Sequence, residues 1–344
     1  MNPLISILLP VYNASIFVNE CLQSIQNQTF TDFETIIIDD GSTDDTYDII
    51  SKLIQNDHRF KLFRFQENRG IVAALNEGLE KCCGFWIARM DVDDIMHSDR
   101  LMKQLSFMKE HPDVDVQGAQ VQLIRDDAPI TEGQHNYINW SNQLIEDKDI
   151  KQEIFAESPI IHPTFFLSRQ YYSKLGNYQD NPWVEDYDFL LRAFIQGAKF
   201  GKIPEKLLIK RDHPQRVVRN DIRCKRKAMF AIKSHYFKKS AWFNPSKNIL
   251  IIGTGAVGKM VATALMNQNI QVDGFINNDH SNKKGTLKGL PIHLLNEENA
   301  KQFFGEQKHT FFISAVGIPE GKRKVNQLLQ HHQLKPIHDY LKFI

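Results

Sequence analysis

Thr35-Ile36-Ile37-Ile38-Asp39-Asp40-Gly41-Ser42-Thr43-Asp44-Asp45-Thr46 sets a β-branched run directly before an acidic turn and the opening of a helix. β-branched residues suit a buried pleated surface. Gly41 suits a turn, and Asp44, Asp45 and Thr46 suit a helix N-terminus. Upstream, Leu4–Leu9 is a short apolar run closed by Pro10, and Val18, Cys21, Leu22 and Ile25 recur at helical spacing. Downstream, Phe60–Phe65 reads as a strand, Ile71, Ala74, Leu75 and Leu79 as a helix face, and Trp86–Met90 as a strand running into Asp91-Val92-Asp93-Asp94. This alternation predicts an α/β fold with a mostly parallel sheet covered on both faces. Functional groups in such sheets gather at the carboxyl ends of the strands. Both acidic clusters are expected there.

From about Asp113 to Ser168 the pattern loosens, with strands expected at Val116–Leu123 and Pro163–Leu167 and a helix at about Val184–Gln196. A basic segment follows: Lys202 to Lys247 holds fourteen Lys/Arg against three Asp/Glu in a chain of net charge +1. Its helix is expected to turn Val218, Ile222, Met229, Ile232 and Tyr236 inward. Two readings compete for this segment, a solvated helix face and a surface for anionic lipid. Phe230, Tyr236, Phe237, Trp242 and Phe243 interleave with the charges and favour the second. Nucleic acid is disfavoured by the acidic half of the chain.

Ala241-Trp242-Phe243-Asn244-Pro245-Ser246 breaks the pattern, so domains are expected over residues 1–240 and 247–344. Beyond it the alternation restarts at Asn248–Ile252, with further strands at Ile270–Ile276, Phe311–Val316 and Pro336–Ile337. Gly253-x-Gly255-x-x-Gly258 follows a strand and opens a helix, as a dinucleotide or phosphate turn requires. A P-loop reading fails because Met260 stands where Ser or Thr must reach Mg²⁺. A dehydrogenase is disfavoured because Phe275-Ile276 leads into Asn277-Asn278, and the first acid is Asp279.

Among the 344 residues, four cysteines without CxxC spacing exclude a disulfide scaffold and a zinc ribbon. The N-terminus lacks a signal-peptide pattern, and no apolar run reaches membrane-span length. A cytoplasmic protein with a membrane-surface habit is expected.

Asp91-Val92-Asp93 carries the chemistry. Residues i and i+2 of an extended segment point the same way, so Asp91 and Asp93 can face one cleft and hold Mn²⁺ or Mg²⁺ through hard oxygen ligands. Such an ion stabilises charge on a diphosphate leaving group. The plainer alternative is a solvated turn capping the next helix.

Ser6-Ile7-Leu8-Leu9-Pro10-Val11-Tyr12-Asn13, Gln28-Thr29-Phe30-Thr31-Asp32-Phe33-Glu34, Ile38–Thr46, Asn68-Arg69-Gly70 through Asn76, Met90–Asp94, Asp99-Arg100-Leu101 and Glu185-Asp186-Tyr187-Asp188-Phe189 together resemble family 2 glycosyltransferases with the GT-A fold, over roughly residues 4–215. The resemblance implies a nucleotide diphosphate-sugar donor, UDP being the expected nucleotide, and a glycan or lipid-linked acceptor. It implies that Pro10, Tyr12 and Asp40 hold the base and ribose, with Asp39 nearby, and that Arg69 lies near the nucleotide. Asp93 would be the direct metal ligand, with Asp91 on the ribose or on a metal-bound water. Pro10 and Gly41 are also ordinary turn residues, and Tyr12 can simply pack.

Inverting displacement needs a carboxylate to take the acceptor's proton. The resemblance places that base at the Asp of a Glu-Asp pair, here Glu185-Asp186. Helix geometry agrees, since Asp186 shares a face with Phe189, Leu190 and Ala193, whereas Asp188 stands four residues before Arg192 as in a surface ion pair. The resemblance also sets Lys210, Arg211, His213 and Arg216 near the diphosphate or metal, and His162 on the acceptor side. The C-terminal segment resembles the small Rossmann-like domain that precedes the acyltransferase part of sugar-nucleotide acetyltransferases, which implies ligand binding or scaffolding. Two rival functions stay open: a bifunctional protein whose C-terminal domain binds or modifies a nucleotide sugar, and a non-catalytic nucleotide- or glycan-binding protein. A glycoside hydrolase would have no use for the nucleotide-pocket residues.

Overall fold

Four parallel strands, β1 (Ile5–Val11), β2 (Phe33–Asp39), β3 (Phe60–Arg64) and β4 (Trp86–Arg89), lie side by side in the order β3-β2-β1-β4. The structure is a computed structural model that describes residues 2–214, 216, 221–277, 285–295, 297–307 and 309–344. Every residue of β1 and β2 is buried, as expected for strands covered on both faces. Helix α1 (Val18–Gln26) turns Val18, Cys21, Leu22 and Ile25 inward. Full burial of its Val, Leu and Ile side chains contributes roughly 1.5–3 kcal/mol each. α2 (Thr46–Ile54) and α3 (Ile71–Lys81) complete the alternation. Val11 pairs with Asp39 and Leu8 with Arg89, so the two acidic clusters leave the sheet at one edge.

The sheet continues through β7 (Phe166–Ser168), β6 (Val116–Arg125) and β8 (Phe200–Asp212) to β5 (Ile95–Met96). The strand expected at Pro163–Leu167 is shortened, because His162–Thr164 forms a 3₁₀ turn. Pro163 has no N–H to give a sheet ladder. A helix at Glu132–Gln143 was unexpected. Its sequence is polar, yet Thr131 and Gln134 form a capping box that marks its start.

The chain divides into two compact units, Met1–Lys151 with Pro159–Asn220, and Gln152–Ser158 with Asp221–Ile344. The linker expected at 241–246 therefore lies inside the second unit, and the basic helix Arg226–Lys239 belongs there too. The reason is packing. Phe237 contacts Phe243, Phe311 and Phe343, and buried Lys233 donates from Nζ to the carbonyls of Ala156 at 2.7 Å and Phe343 at 3.1 Å. Of the expected inward face, Ile232 and Tyr236 are buried, but Ile222 is 79% exposed in a separate 3₁₀ turn. Val218 lies outside the described residues. Phe230, Tyr236 and Phe237 point into the core, which removes much of the apolar support for a lipid-facing surface.

The second unit carries its own sheet, with β9 (Asn248–Ile252) flanked by parallel β10 (Gly274–Asn277) and β11 (Thr310–Ser314). The strand expected at Pro336–Ile337 falls instead at Tyr340–Lys342, with only an isolated bridge from Pro336 to Tyr340. Ile337 sits at φ 73°, outside strand geometry. Among the described residues no helix is long and apolar enough to cross a membrane.

Candidate active site

Beyond β1, Tyr12 leaves its ring 46% exposed while Pro10 stays buried in the strand. The following loop is stapled to the acidic turn: Asn13 N–H donates to Ser42 Oγ at 3.0 Å, and Ala14 N–H to Thr46 Oγ1 at 2.8 Å. Gly41 (φ +69°) passes so close to the 67–68 backbone that a Cβ would lie 2.5 Å from the Glu67 carbonyl carbon. Only glycine fits both demands.

Asp39 and Asp40 divide the work. Asp39, fully buried, accepts from Ser42 N–H at 3.0 Å and pairs with Arg64 Nε at 3.2 Å. It holds the turn. Asp40 accepts from the backbone N–H groups of Arg69 at 2.7 Å and Gly70 at 2.9 Å, one on each oxygen. Burial raises its pKa against those two hydrogen bonds. The Arg69 guanidinium lies over Phe65 at 4.5 Å. Asp40 thus fixes the loop that carries Arg69.

At the end of β4, one ligand atom each from Asp91, Asp93 and Asp94 lies within 4.8 Å of the others. These are hard oxygen donors converging on one point, and Asp94 Oδ2 is buried without a hydrogen-bond partner. The set fits a divalent cation. Burial pushes the Asp91 carboxyl up, but Arg89 and then Arg216 outweigh it and hold it well below the usual range. Arg89, itself 3% exposed, touches Asp91 Oδ1 through Nη1. Burial lifts Asp94 to about 7 against the opposing charge of Lys210, and Asp93 adds to the rise.

The basic residues after β8 take separate places. His213 Nε2 lies 3.0 Å from Asp93 Oδ2, with its ring against Phe17 at 4.5 Å. Arg211 is engaged elsewhere: its guanidinium pairs with Glu20 and Asp126, and Nε donates to the Asp93 carbonyl at 3.3 Å. It braces the loop of the carboxylates. Arg216 spans all three of them, at 3.2 Å from Asp91, 3.5 Å from Asp93 and 3.7 Å from Asp94.

Glu185 and Asp186 open the helix Glu185–Ile195, where Asp186 is half-buried and its Oδ1 accepts from Tyr187 N–H at 2.6 Å. The inward carboxylate expected at Asp186 is instead Asp188. It is fully buried, with Arg192 Nε at 2.8 Å and Asn181 Nδ2 at 3.0 Å. The expected pair of Asp188 with Arg192 forms, but in the interior, because this helix buries residues on most of its circumference. Arg192 there also donates to the carbonyls of Leu175, Gly176 and Asn177.

Burial works against the Arg89 charge, but Asp91 first, then Tyr178 and Glu185, outweigh it and raise its pKa. His162 belongs to the same neighbourhood, with Nε2 at 2.8 Å from Tyr178 Oη. Burial, then Arg89, pushes its pKa well below the ordinary value. The role of Arg89 was missed in sequence, although an arginine inside the run Trp86–Met90, two residues before Asp91, is itself a signal.

In the second unit the glycine turn has the expected form. A Cβ on Gly258 would lie 1.9 Å from the Gly253 carbonyl oxygen, Gly253 has φ +123°, and Gly255 faces open space at the N-cap of the helix Ala256–Asn267. Asn278 and Asp279 lie outside the described residues.

Residues 6–176 match the family described as Glycosyl transferase family 2, and residues 248–329 match the PglD N-terminal domain. An uncharacterized glycosyltransferase of Haemophilus influenzae is 40% identical over 177 residues, covering 48% of this chain and 71% of that protein. The amylovoran biosynthesis glycosyltransferase AmsE of Erwinia amylovora is 29% identical over 205 residues, covering 59% of this chain and 74% of that one. Among solved structures, S. aureus TarS in complex with UDP-GlcNAc aligns with TM-score 0.56 at 17% identity, over 70% of this chain and 68% of that one. The mannosyltransferase PcManGT of Pyrobaculum calidifontis, in complex with GDP-Man and Mn²⁺, aligns with TM-score 0.50 at 17% identity, over 70% and 63%. The first unit has the GT-A fold, and the chain belongs to glycosyltransferase family 2.

Proposed function

We propose that the protein is a metal-dependent inverting glycosyltransferase that moves a sugar from a nucleotide diphosphate-sugar, with UDP as the nucleotide, to an acceptor hydroxyl in surface polysaccharide or glycolipid synthesis. The observation that carries this reading is the convergence of Asp91, Asp93 and Asp94 at the carboxyl edge of the first sheet. The similarity to AmsE, TarS and PcManGT supports a sugar-nucleotide donor and a role in polysaccharide assembly.

Mn²⁺ or Mg²⁺ at that site would offset the charge gathering on the departing diphosphate. The protein's own residues do the rest. The exposed Tyr12 ring offers a stacking face for the base, while Asp40 holds the Arg69 loop beside it. Asp186 takes the proton from the acceptor hydroxyl as its oxygen bonds to the anomeric carbon. The carbon–oxygen bond to the diphosphate breaks with its electron pair leaving on the nucleotide, and the product has inverted configuration. Asp188 is committed to Arg192 in the interior, and the base is assigned to Asp186, the Asp of the Glu185-Asp186 pair that opens the helix. For the second unit we propose ligand binding or scaffolding, carried by its glycine turn.

The test is turnover of a panel of nucleotide sugars by the purified full chain, with Mn²⁺, with Mg²⁺ and with a chelator. A UDP-sugar consumed only when an ion is present is the expected result. Consumption unaffected by chelation would overturn metal dependence, and no consumption of any donor would overturn the enzyme reading.

A further inference from the structure

We infer that Arg216 is the resident counter-ion of the Asp91–Asp93–Asp94 cluster, so that a divalent ion enters only by displacing its guanidinium. This rests on the proposed use of that cluster as the ion site.

The geometry leaves little room for both cations. Carboxylate oxygens bind Mg²⁺ or Ca²⁺ at about 2.0–2.6 Å. Three oxygens within 4.8 Å of one another therefore define a single central position for an ion. The Arg216 nitrogens already approach those same three side chains, Nη2 at Asp91, Nε at Asp93 and Nη1 at Asp94. The Arg216 side chain is only 12% exposed, and Nη1 also donates to the Arg211 carbonyl. It is held in place by the carboxylates and by that carbonyl together.

The charge balance points the same way. Arg89 contacts Asp91 from within the fold, Lys210 is close enough to act on Asp91 and Asp94, and His213 Nε2 reaches Asp93. A guanidinium stays charged at any working pH. The cluster is already compensated before an ion arrives, so the incoming ion must repay the loss of the guanidinium contacts. Free protein should bind the ion weakly, and removing the Arg216 charge should tighten it.

The experiment titrates Mn²⁺ alone, without nucleotide, into the full-length chain, reading free ion by electron paramagnetic resonance. Wild type, Arg216→Gln, Arg216→Lys and Asp93→Ala are compared. Arg216→Gln keeps bulk and hydrogen-bonding capacity without the charge, and is expected to bind Mn²⁺ about tenfold tighter than wild type, within the range of a typical coupling between sites. Arg216→Lys retains a cation and should stay near wild type, and Asp93→Ala should lose the ion. Arg216→Gln and wild type binding equally, with Asp93→Ala weakened, would overturn the counter-ion role and leave the ion site standing. No Mn²⁺ bound by wild type or by Arg216→Gln would overturn the ion site itself.

Discussion

At the carboxyl edge of the first sheet the chain leaves Asp39, Asp40, Asp91, Asp93 and Asp94. At the carboxyl edge of the second it leaves Gly253, Gly255, Gly258 and the amide of Asn277. Both units are parallel strands feeding helices, and both put their turns at the edge where such sheets bind ligands. Among the described residues the first unit dresses that edge with charge and supports Asp39, Asp40 and Asp91 from behind. Arg64 backs Asp39, Arg89 backs Asp91, and the amides of residues 69 and 70 fill Asp40. In the second unit Gly253 and Gly258 provide backbone clearance, while Gly255 faces open space. The lesson is that architecture sets where a site can form, and buried partner groups decide what it can do.

The comparison can be broken most severely at the proposed base. Asp186→Asn removes a proton acceptor and should lower sugar transfer by about 10²–10⁴-fold. Transfer within tenfold of wild type would move the base elsewhere. A milder effect is expected at the second unit's turn, where Gly258→Ala drives a methyl against the Gly253 carbonyl oxygen. Overpacking of this kind costs roughly 1–3 kcal/mol. Denaturant unfolding should show the second unit lose stability while the first keeps its own midpoint. A shared loss in both would mean the two do not unfold as separate units.

A third expected effect is a change of slope. Asp94, raised to about 7 from 3.8, keeps in the native state a proton that the unfolded chain gives up. Its contribution to stability is therefore fully present below about pH 4 and lost as the pH rises through about 7. In chelator, Asp94→Asn should flatten the fall in denaturant midpoint across that window. An unchanged slope would place the proton on another group.

Much of the first sheet was legible because its central strands are apolar runs and its turns are local motifs. Ile36-Ile37-Ile38 before Asp39-Asp40-Gly41-Ser42, and the glycine turn at 253–258, need no distant partner to be read. What failed depends on partners far along the chain. The helix 185–195 is buried on most sides, so its periodicity could not separate Asp186 from Asp188. The pairing of Arg211 with Glu20 and Asp126 joins residues 191 and 85 positions apart, which no spacing rule reaches. The basic segment misled in another way, because its charges have three destinations. Arg211 and Arg216 go to the site, Lys202 and Lys233 are buried on backbone carbonyls, and Lys227, Lys238 and Lys239 stay exposed. Composition cannot distinguish these fates.

On the proposed mechanism Asp93 serves ion and diphosphate while Asp186 serves the acceptor proton. Calorimetry of UDP binding in Mn²⁺ tests it directly, comparing wild type, Asp93→Ala and Asp186→Asn. Asp93→Ala is expected to bind UDP much more weakly, and Asp186→Asn to bind it as wild type does. Equal UDP affinity in the two variants would contradict it.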